Sequence, residues 1–423
     1  MYPSAHVDTF ARDSLPAPEQ WPVLTESSDT HYCQRLNAVV ELLDRAIDEG
    51  HGDAVALRTD SGTTTYRALQ GEVNRIANVL RGPLGLVPGN RVLLRGANHP
   101  AMAACWLAVV KAGLIAVATM PLLRARELVP VIEKARIDAA LCDLRLRDEL
   151  LAACRTRPEL AKVLWFNALQ GQPDSLEALA ATQPDTFHPC DTAQDDVALI
   201  AFTSGTTGEP KGTMHFHRDV LAMCDLFPRH VLRPDSRDIF CGTPPLAFTF
   251  GLGGLLCFPL RARASVVLLE RFTPETLLAA IERHRATICF TAPTFYRQMA
   301  SIAARFDLSS LRKSVSAGEA LPDATRQLWK QATGIEMIDG IGSTEMIHIF
   351  ISSAGDEVRA GAIGKAVPGY EARVVDEAMN PVSPGTIGKL AVRGPTGCRY
   401  LADERQTRYV RSGWNLPGDT FKM

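Results

Sequence analysis

The sequence predicts an α/β fold in which helices cover mainly parallel sheets. Apolar, strand-like runs alternate with amphipathic helical segments along most of the chain, which is the pattern of strands joined by helical connections. A chain of 423 residues is too long for one compact core, so we expect separate sub-domains. After residue 350, short runs alternate with Pro and Gly turns, which predicts a small β-rich, barrel-like part. The predicted division is two α/β sub-domains at 1–195 and 196–350, followed by the β-rich sub-domain at 351–423.

Periodicity and turn residues predict the individual elements. Strands are predicted at 54–58, 63–66, 91–95, 114–119, 139–142, 197–202, 286–291, 313–316, 336–341, 370–375 and 388–393. Helices are predicted at 36–49, 67–81, 101–112, 127–135 and 323–333. Another helix is predicted after Thr273-Pro274, an N-cap followed by Pro at the first helical position. The polar, Pro-bearing stretch 171–196 indicates the first sub-domain boundary.

Composition and charge argue against several classes of protein. The net charge is −2, so no basic surface predicts binding to nucleic acid or to an anionic membrane. The ten cysteines have neither C-x-x-C nor zinc-site spacing, which predicts reduced thiols in a cytoplasmic protein. The N-terminus has no apolar signal core, and the most membrane-like window, 101–120, is interrupted by Lys111 and Gly113. A helix followed by a buried strand explains this window better than a membrane span does.

The stretch TSGTTGEPKG at 203–212 has the composition of a phosphate-binding loop. It contains three Gly, four hydroxyl side chains, one Pro and one Lys, and it follows the predicted buried strand at 197–202. Glycines allow close approach of the backbone, hydroxyl groups can donate hydrogen bonds, and Lys211 provides one compact positive charge. The loop is not a Walker loop, because the spacing G-x-x-x-x-G-K-[ST] is absent.

A second polar turn, GSTE at 342–345, follows another predicted strand. Ligands of α/β proteins bind at the carboxyl ends of such strands, so this turn is a second candidate for the site. Thr344 can donate a hydrogen bond to a phosphate oxygen, and Glu345 can bind a hard cation that bridges phosphates. The alternative is an ordinary polar turn with a solvated Glu345.

The order TSGTTG-x-PKG resembles the ATP loop of the acyl-adenylate-forming superfamily, which includes acyl- and aryl-CoA ligases. The resemblance implies ATP as a substrate, with catalytic roles for Lys211, Thr206, Thr344 and Glu345. It also implies Mg²⁺ bound by Glu345 and Thr206. The other loop residues that it implies in nucleotide binding are Thr203, Ser204, Gly205, Thr207 and Gly208.

Further motifs follow in the superfamily's order. SAGEAL at 316–321 resembles the turn that contacts adenine, and Asp339 matches the position that reads the adenine amino group. Ile341 stands where the superfamily usually has Tyr, so we expect apolar contact in place of stacking on the base. Gly418-Asp419 resembles the pair that binds both ribose hydroxyls. The nucleotide-binding residues that these motifs imply are Ala317, Gly318, Glu319, Asp339, Gly340, Ile341, Gly342, Ser343 and Asp419.

PPLAFTFG at 244–251 resembles the superfamily's acyl-pocket motif. Ala247 replaces a bulky aromatic residue, which leaves space for a flat ring, and Phe248 matches an aromatic gate before the CoA tunnel. GIGSTEMIHIF and PPLAFTFGLGG resemble the benzoate and 2-aminobenzoate branch of the aryl-CoA ligases. The resemblance implies an aryl pocket formed by Ala247, Phe248, Gly342 and His348, with 2-aminobenzoate as the preferred aromatic carboxylate. Benzoate and hydroxybenzoates stay open as substrates, and His348 has the alternative of a structural role.

The implied reaction converts ATP and the acid to an aryl-AMP and then transfers the aryl group to CoA. Superfamily members continue into a lid domain that carries a catalytic Lys, whereas this sequence ends at Met423. We therefore expect the C-terminal lid domain to be absent, adenylation to be slow and thioester formation to be small. Alternatives are an ATPase, a non-catalytic binder of aryl-AMP, and transfer to an acyl carrier protein. The sequence does not indicate an oligomeric state.

Two short matches to other enzymes lie after the phosphate loop. His217-Arg218-Asp219 has the order of a kinase catalytic triplet, but Cys224 stands where a kinase needs Asn. His215 and Asp219 form an H-x-x-x-D pair as in some acyltransferases, with only two fixed positions. We interpret this stretch as the start of the helix after the loop.

Overall fold

The computed structural model describes residues 2–168, 172, 174–203 and 209–422. Their strands, in chain order, are β1 (Val55–Thr59), β2 (Gly62–Thr65), β3 (Arg91–Arg95), β4 (Ile115–Thr119), β5 (Ala139–Asp143), β6 (Lys162–Phe166), β7 (Val197–Thr203), β8 (Lys211–Phe216), β9 (Ile239–Gly242), β10 (Ser265–Val267), β11 (Ile288–Thr291), β12 (Lys313–Ser316), β13 (Met337–Gly342), β14 (Ile349–Ser353), β15 (Lys365–Ala366), β16 (Glu371–Val375), β17 (Ile387–Arg393), β18 (Val410–Arg411), β19 (Trp414–Asn415) and β20 (Thr420–Lys422).

The α-helices of the same residues connect most of these strands. They are α1 (Phe10–Asp13), α2 (Tyr66–Arg81), α3 (Pro100–Lys111), α4 (Ala125–Ala135), α5 (Arg147–Thr156), α6 (Leu176–Ala181), α7 (His217–Asp225), α8 (Thr249–Leu252), α9 (Phe258–Arg261), α10 (Pro274–His284), α11 (Pro293–Ala300), α12 (Asp323–Thr333) and α13 (Gln406–Tyr409). Wider, π-helical segments are Val40–Asp44, Ile47–His51, Pro228–Leu232 and Gly253–Cys257. The first two replace the regular helix predicted at 36–49.

The strands form three sheets. The six-stranded sheet has the order β6-β5-β3-β4-β7-β8 and is parallel except for the β7/β8 pair. The nine-stranded sheet has the order β15-β14-β13-β12-β11-β9-β10-β1-β2 and is parallel from β13 to β1. Strands β16 to β20 form a small antiparallel sheet. The predicted fold class, parallel sheets with helices plus a small β-rich part, is confirmed.

Each of the two large sheets uses strands from both sides of the predicted boundary at 195/196. Strands β1 and β2 join the nine-stranded sheet because β1 pairs with β10. Strands β7 and β8 complete the six-stranded sheet through the pairing of β4 with β7. The boundary therefore does not separate the two sheets, and the division into three sub-domains stays a prediction.

Local sequence signals account for the helix starts that were predicted. The Thr273 hydroxyl accepts a hydrogen bond from the backbone N–H of Thr276 at 3.2 Å, and Pro274 begins α10 as expected for a capped start. The membrane-like window at 101–120 is helix α3, a turn and strand β4. Within the part of the chain that the structure describes, no helix is both long and apolar enough to cross a bilayer.

Strands β7 and β8 form an antiparallel hairpin that the sequence analysis did not predict. The sequence predicts the start of a helix at 215–219, which is wrong for His215 and Phe216, because residues 211–216 pair with β7 from Lys211↔Thr203 to Phe216↔Val197. Helix α7 begins only at His217. The hairpin holds Thr203 and Lys211, the described ends of the predicted phosphate loop, side by side.

Candidate functional site

The candidate site lies where the open end of the β7/β8 hairpin meets the turn after β13. Thr203 and Lys211 are paired at the hairpin end, and Thr344 and Glu345 lie in the turn that follows Gly342. The sequence predicts five further phosphate-loop contacts, which lie outside the described residues: Ser204, Gly205, Thr206, Thr207 and Gly208. Their roles therefore stay predictions.

Lys211 and Glu345 form an ion pair across 134 residues of sequence. The Nζ atom of Lys211 lies 3.5 Å from Oε1 of Glu345, and the two side chains are 24% and 8% exposed. At this distance the contact is loose, so Lys211 can turn towards a phosphate without a large energetic cost. The fold thus brings together the cation of one predicted motif and the carboxylate of another.

Tyr400, which belongs to none of the sequence motifs, contacts both members of this pair. Its hydroxyl donates a hydrogen bond to Oε1 of Glu345 at 2.6 Å and accepts one from Nζ of Lys211 at 3.2 Å. Burial, with the nearby carboxylate, raises the pKa of the Tyr400 hydroxyl far above its ordinary value, so the hydroxyl stays protonated. Tyr400 is 55 and 189 residues away from its two partners, and no local pattern carries that information.

A cavity of about 650 Å³ begins at Gly342, three residues before Glu345. This volume is in the range of small-molecule and cofactor sites. Its lining includes seven of the predicted nucleotide-binding residues: Gly318, Glu319, Asp339, Gly340, Ile341, Gly342 and Asp419. Ala317 is buried beneath the turn and does not line the cavity. Ser343 also lies outside the lining, and its hydroxyl is 3.1 Å from the hydroxyl of Tyr409.

The turn at 318–321 is held in place from the side of α11. The carboxylate of Glu319 accepts hydrogen bonds from the backbone N–H of Thr294 at 2.9 Å and from its hydroxyl at 2.5 Å. These hydrogen bonds lower the pKa of Glu319. Gly318 has a φ of +92°, a left-handed conformation that L residues rarely adopt. The Glu319 side chain is therefore engaged in holding the turn in place, and the backbone of the turn faces the cavity.

Asp339 has an unusual ionisation. Burial raises its pKa to about 6, and Arg326, whose Nη2 atom lies 3.8 Å from Oδ2 of Asp339, opposes the shift only in part. The carboxylate is therefore ionised at neutral pH, when it can accept a hydrogen bond from an exocyclic amino group. Below about pH 6 it carries a proton and loses part of this acceptor capacity.

We expect the affinity for adenosine to rise as the pH increases from 5 to 7, because Asp339 loses its proton near pH 6. One hydrogen bond to a charged acceptor corresponds to about a tenfold change in affinity. Titration calorimetry with adenosine, which has no phosphate that titrates in this range, measures the change. An Asp339→Asn variant should show weak, pH-independent binding, and a profile equal to that of the unsubstituted protein would contradict the role.

The same shift predicts the pH dependence of folding without ligand. The folded pKa of Asp339 lies above the ordinary value of 3.8, so between pH 4 and 6 the folded state binds more protons than the unfolded state. The contribution of Asp339 to the free energy of unfolding therefore falls as pH rises through this window. The Asp339→Asn variant should lose this slope, which urea titrations at several pH values can measure.

A buried polar chain supports the turn that carries Glu345. Nε2 of His215 donates a hydrogen bond to the backbone carbonyl of Thr344 at 2.8 Å, and Nδ1 of His215 lies 3.7 Å from Asp219. Asp219 in turn forms an ion pair with Arg399, and all three side chains are 0% exposed. Burial alone would raise the pKa of Asp219, and the Arg399 guanidinium reverses this and holds it below its ordinary value. The H-x-x-x-D pair is thus a structural support and is closed to substrate.

The four residues predicted to form the aryl pocket lie in three places, and Gly342 is the one that lines the cavity of about 650 Å³. Ala247 and Phe248 line a second cavity of about 420 Å³, and Phe248 is 42% exposed. This cavity also reaches Thr203 at the base of the phosphate loop. His348 lines neither of these two cavities. Its backbone is nevertheless close to Gly342, because its carbonyl oxygen lies 2.7 Å from the position that a Cβ atom would occupy there.

The ring of His348 lies in an aromatic cluster. Ring centroids of Phe258, Phe227 and Phe250 lie 4.6, 5.7 and 5.7 Å from that of His348. A Cβ atom added at Gly253 would come within 2.6 Å of the imidazole, so glycine is required there. Burial lowers the pKa of His348 to about 3, although a contact with the Phe250 backbone acts to raise it. Neither ring nitrogen has a described partner of normal hydrogen-bond geometry, which leaves a neutral imidazole with free polar atoms.

The carboxylate of Glu345 is the described group that fits a divalent metal ion at this site. Among the described residues, no three His, Cys, Asp or Glu side chains cluster closely enough to form a complete metal site. A hard cation such as Mg²⁺ needs only one or two carboxylate ligands when phosphate oxygens supply the others. The donor set therefore fits a metal that is held jointly by Glu345 and a bound nucleotide.

Comparison with known proteins gives the class of the chain. It belongs to the family of AMP-binding enzymes, whose family model matches residues 43–400. This match includes the hairpin, the turn after β13, and Tyr400.

Two curated relatives and one solved structure place it more narrowly. The chain is 35% identical over 404 residues to the benzoate–CoA ligase of Thauera aromatica, covering 92% of this chain and 74% of that enzyme. It is 33% identical over 349 residues to the anthranilate–CoA ligase of Pseudomonas aeruginosa, covering 80% and 65%. The crystal structure of the anthranilate CoA ligase AuaEII with anthranoyl-AMP aligns with a TM-score of 0.89 at 32% identity, covering 94% and 77%. The chain is accordingly an AMP-forming acid–thiol ligase of the aryl-CoA group.

Proposed function

We propose that this chain activates an aromatic carboxylate, with 2-aminobenzoate as the preferred substrate, to an aryl-AMP and transfers the aryl group to CoA. The observation that carries the proposal is the contact of Lys211 with Glu345, 3.5 Å apart, three residues after Gly342, which lines a cavity together with Asp339 and Asp419. A phosphate-binding cation and a metal-binding carboxylate thus lie in contact, and two acceptors suited to adenine and ribose line a cavity that reaches Gly342, at the start of the turn that carries the carboxylate. This arrangement suits a bound ATP.

In the first step, the substrate carboxylate attacks the α-phosphorus of ATP, and pyrophosphate leaves with the electron pair of the broken P–O bond. The residues act by position and charge, since little covalent chemistry is left to the protein. Lys211 holds the β- and γ-phosphates, Thr344 donates to the α-phosphate, and Asp419 accepts from the ribose hydroxyls. Glu345 would hold Mg²⁺, which would neutralise negative charge on the leaving pyrophosphate.

In the second step, the CoA thiolate attacks the carbonyl carbon of the aryl-AMP, and AMP leaves. The cavity of about 420 Å³ suits the approach of the pantetheine arm, because it lies between the end of β7 and α4 and is mainly apolar. Its wall joins Phe248, the predicted gate, to Phe202 and Thr203 at the end of β7. An acyl carrier protein would bring its own pantetheine arm along the same path, so a carrier as acceptor is the alternative for this step.

A neutral, buried His348 favours an aromatic acid with a small polar substituent. A free imidazole nitrogen can accept a hydrogen bond from an aromatic amine or donate one to a hydroxyl group. An aromatic amine is uncharged at neutral pH, so it needs no carboxylate partner in the pocket. Benzoate remains the second candidate, because the chain is 35% identical to a benzoate–CoA ligase.

Replacing His348 by Leu should lower the preference for 2-aminobenzoate over benzoate about tenfold, the effect of one lost hydrogen bond. His348→Asn is the matched variant, since it shortens the side chain but keeps a polar group. The ratio of kcat/KM for the two acids, measured by hydroxamate formation from the acyl-adenylate, gives the result. An unchanged ratio in the Leu variant would show that His348 does not read the ring substituent.

The proposed activity is tested by ATP–pyrophosphate exchange with benzoate, 2-aminobenzoate and the hydroxybenzoates. We expect exchange that depends on the aromatic acid and is fastest with 2-aminobenzoate. Release of phosphate from ATP without any acid would instead identify an ATPase. Incubation of the aryl-AMP with CoA or with a phosphopantetheinylated carrier protein then distinguishes the two acceptors.

A further inference from the structure

We infer that Tyr400 is a positioning residue for the metal-binding carboxylate: its hydroxyl fixes Glu345 while Lys211 is engaged with the nucleotide. This inference rests on the proposed function, in which Lys211 binds phosphates and Glu345 binds Mg²⁺. Neither the sequence motifs nor the comparisons assign a role to Tyr400. The contacts of its hydroxyl and the way its backbone is held carry the argument.

The hydroxyl of Tyr400 is placed between the two charged groups. It lies 2.6 Å from Oε1 of Glu345 and 3.2 Å from Nζ of Lys211, while the direct contact of Lys211 with Glu345 is 3.5 Å. The shortest of these three contacts is therefore the one from Tyr400. A carboxylate has no proton to give, so the hydroxyl is the donor in this hydrogen bond.

When a nucleotide binds, Lys211 has to exchange partners. In the structure its ammonium is shared between Glu345, Tyr400 and the face of the Tyr400 ring, whose centroid is 5.3 Å away. Once Lys211 turns to the phosphates, Tyr400 is the remaining described hydrogen-bond donor to Glu345. The hydrogen bond from Tyr400 then limits the rotation of the carboxylate that must meet the metal ion.

The backbone around Tyr400 is fixed directly to the phosphate-loop hairpin. The N–H of Met214 donates to the carbonyl of Arg399 at 2.8 Å, and the N–H of Leu401 donates to the carbonyl of Gly212 at 2.8 Å. These bonds place Tyr400 opposite Thr213, so residues 399–401 extend the β8 edge. Tyr400 therefore moves with the hairpin that carries Lys211.

A second tyrosine connects the same segment to the turn before Glu345. The Tyr409 ring lies edge-on to Tyr400, with centroids 5.7 Å apart, and its hydroxyl is 3.1 Å from that of Ser343. Ser343 also accepts a hydrogen bond from the backbone N–H of Met346 at 3.2 Å. The segment 399–409 thus contacts both the hairpin and the turn. This segment therefore sets the distance between the ammonium group of Lys211 on the hairpin and the carboxylate of Glu345 in the turn.

Replacing Tyr400 by Phe tests the inference, because Phe keeps the ring and removes only the hydroxyl. The dissociation constant of ATP is measured by titration calorimetry with Mg²⁺ and again with EDTA. In the unsubstituted protein, Mg²⁺ should tighten ATP binding. In the Phe variant this gain should shrink about tenfold, while binding in EDTA changes little, since the hydrogen bond acts on the metal ligand.

Tyr66→Phe is the matched control. The Tyr66 hydroxyl is also buried and donates to the carbonyl of Ala264 at 2.7 Å, in the nine-stranded sheet region and without contact to the site. A general loss of stability would affect both variants, whereas a loss of the Mg²⁺-dependent gain should occur only in Tyr400→Phe. Thermal unfolding of each variant confirms that the protein is folded during the titration.

A double-mutant cycle with Glu345→Gln provides a second measurement. The Tyr400 substitution should have no further effect on the Mg²⁺-dependent gain when the carboxylate is already removed. An unchanged gain in Tyr400→Phe, or equal effects with and without the carboxylate, would overturn the inference and leave the proposed function standing. The absence of any Mg²⁺-dependent ATP binding in the unsubstituted protein would overturn both.

Discussion

Replacing Glu345 by Gln is expected to lower the rate of aryl-AMP formation by about a hundredfold or more. The carboxamide has the same shape and can still accept the hydrogen bond from Tyr400, which is 2.6 Å long in the structure. What it loses is the negative charge that holds the cation beside the phosphates. Acid-dependent ATP–pyrophosphate exchange at saturating ATP, with 2-aminobenzoate as the acid, measures the effect.

Glu371→Gln is a suitable control for this experiment. Glu371 forms an exposed ion pair with Arg393 on the small antiparallel sheet, at 2.8 Å. Its loss should leave exchange at the unsubstituted rate, because an exposed pair contributes little to stability and lies outside the site. Wild-type exchange in a folded Glu345→Gln protein would refute the assignment of Glu345 as the metal-binding residue.

Replacing Arg399 by Met is expected to destabilise the protein by about 3–5 kcal/mol. Arg399 and Asp219 are both 0% exposed, so removal of the guanidinium leaves a carboxylate buried without its counter-charge. Part of the packing is also lost, because the guanidinium lies 4.1 Å from the centroid of the Phe216 ring. Urea unfolding followed by circular dichroism gives the free energy of unfolding.

The double variant Asp219→Asn with Arg399→Met should recover much of this loss. It removes the uncompensated charge and leaves only the packing defect, whereas Arg399→Met alone carries both costs. Lys389→Met tests an exposed ion pair, since Lys389 contacts Glu377 at 2.6 Å on the surface, and it should cost about 0.5 kcal/mol or less. If Arg399→Met were as mild as Lys389→Met, the buried pair would not be the support proposed for the turn that carries Glu345.

Local sequence patterns were sufficient for the elements around the site. The apolar run at 197–202 became β7, and the polar turn at 342–345 follows β13 as expected. The capped helix start at Thr273 and Pro274 is also present. Each of these features is encoded within a few neighbouring residues, by hydrophobic period, turn residues or capping, which is why single-sequence reasoning finds them.

Long-range pairing was not accessible to the same reasoning. The sequence predicts neither β8 nor the β7/β8 hairpin, because residues 211–216 show no clear alternation of apolar and polar side chains. The sequence also did not indicate that each large sheet takes strands from both sides of residue 195. The reason is similar, since β1 pairs with β10 across about two hundred residues of chain. Pairing partners depend on the whole fold, so a local window does not contain them.

The sequence by itself determined the class of the site: a Gly- and Thr-rich loop ending at Lys211, an acidic residue at Glu345, and acceptors at Asp339 and Asp419. The loop and Glu345 follow from the chemistry that phosphates and a hard cation require, whereas the roles of Asp339 and Asp419 are implied by the resemblance to the superfamily. Only the tertiary structure decided that Tyr400 joins Lys211 to Glu345, that Asp339 is buried enough to titrate near pH 6, and that the His348 ring lies among phenylalanines. The physical reason is that burial, distance and hydrogen-bond partners arise from contacts between segments far apart in the chain, which residue order alone does not specify.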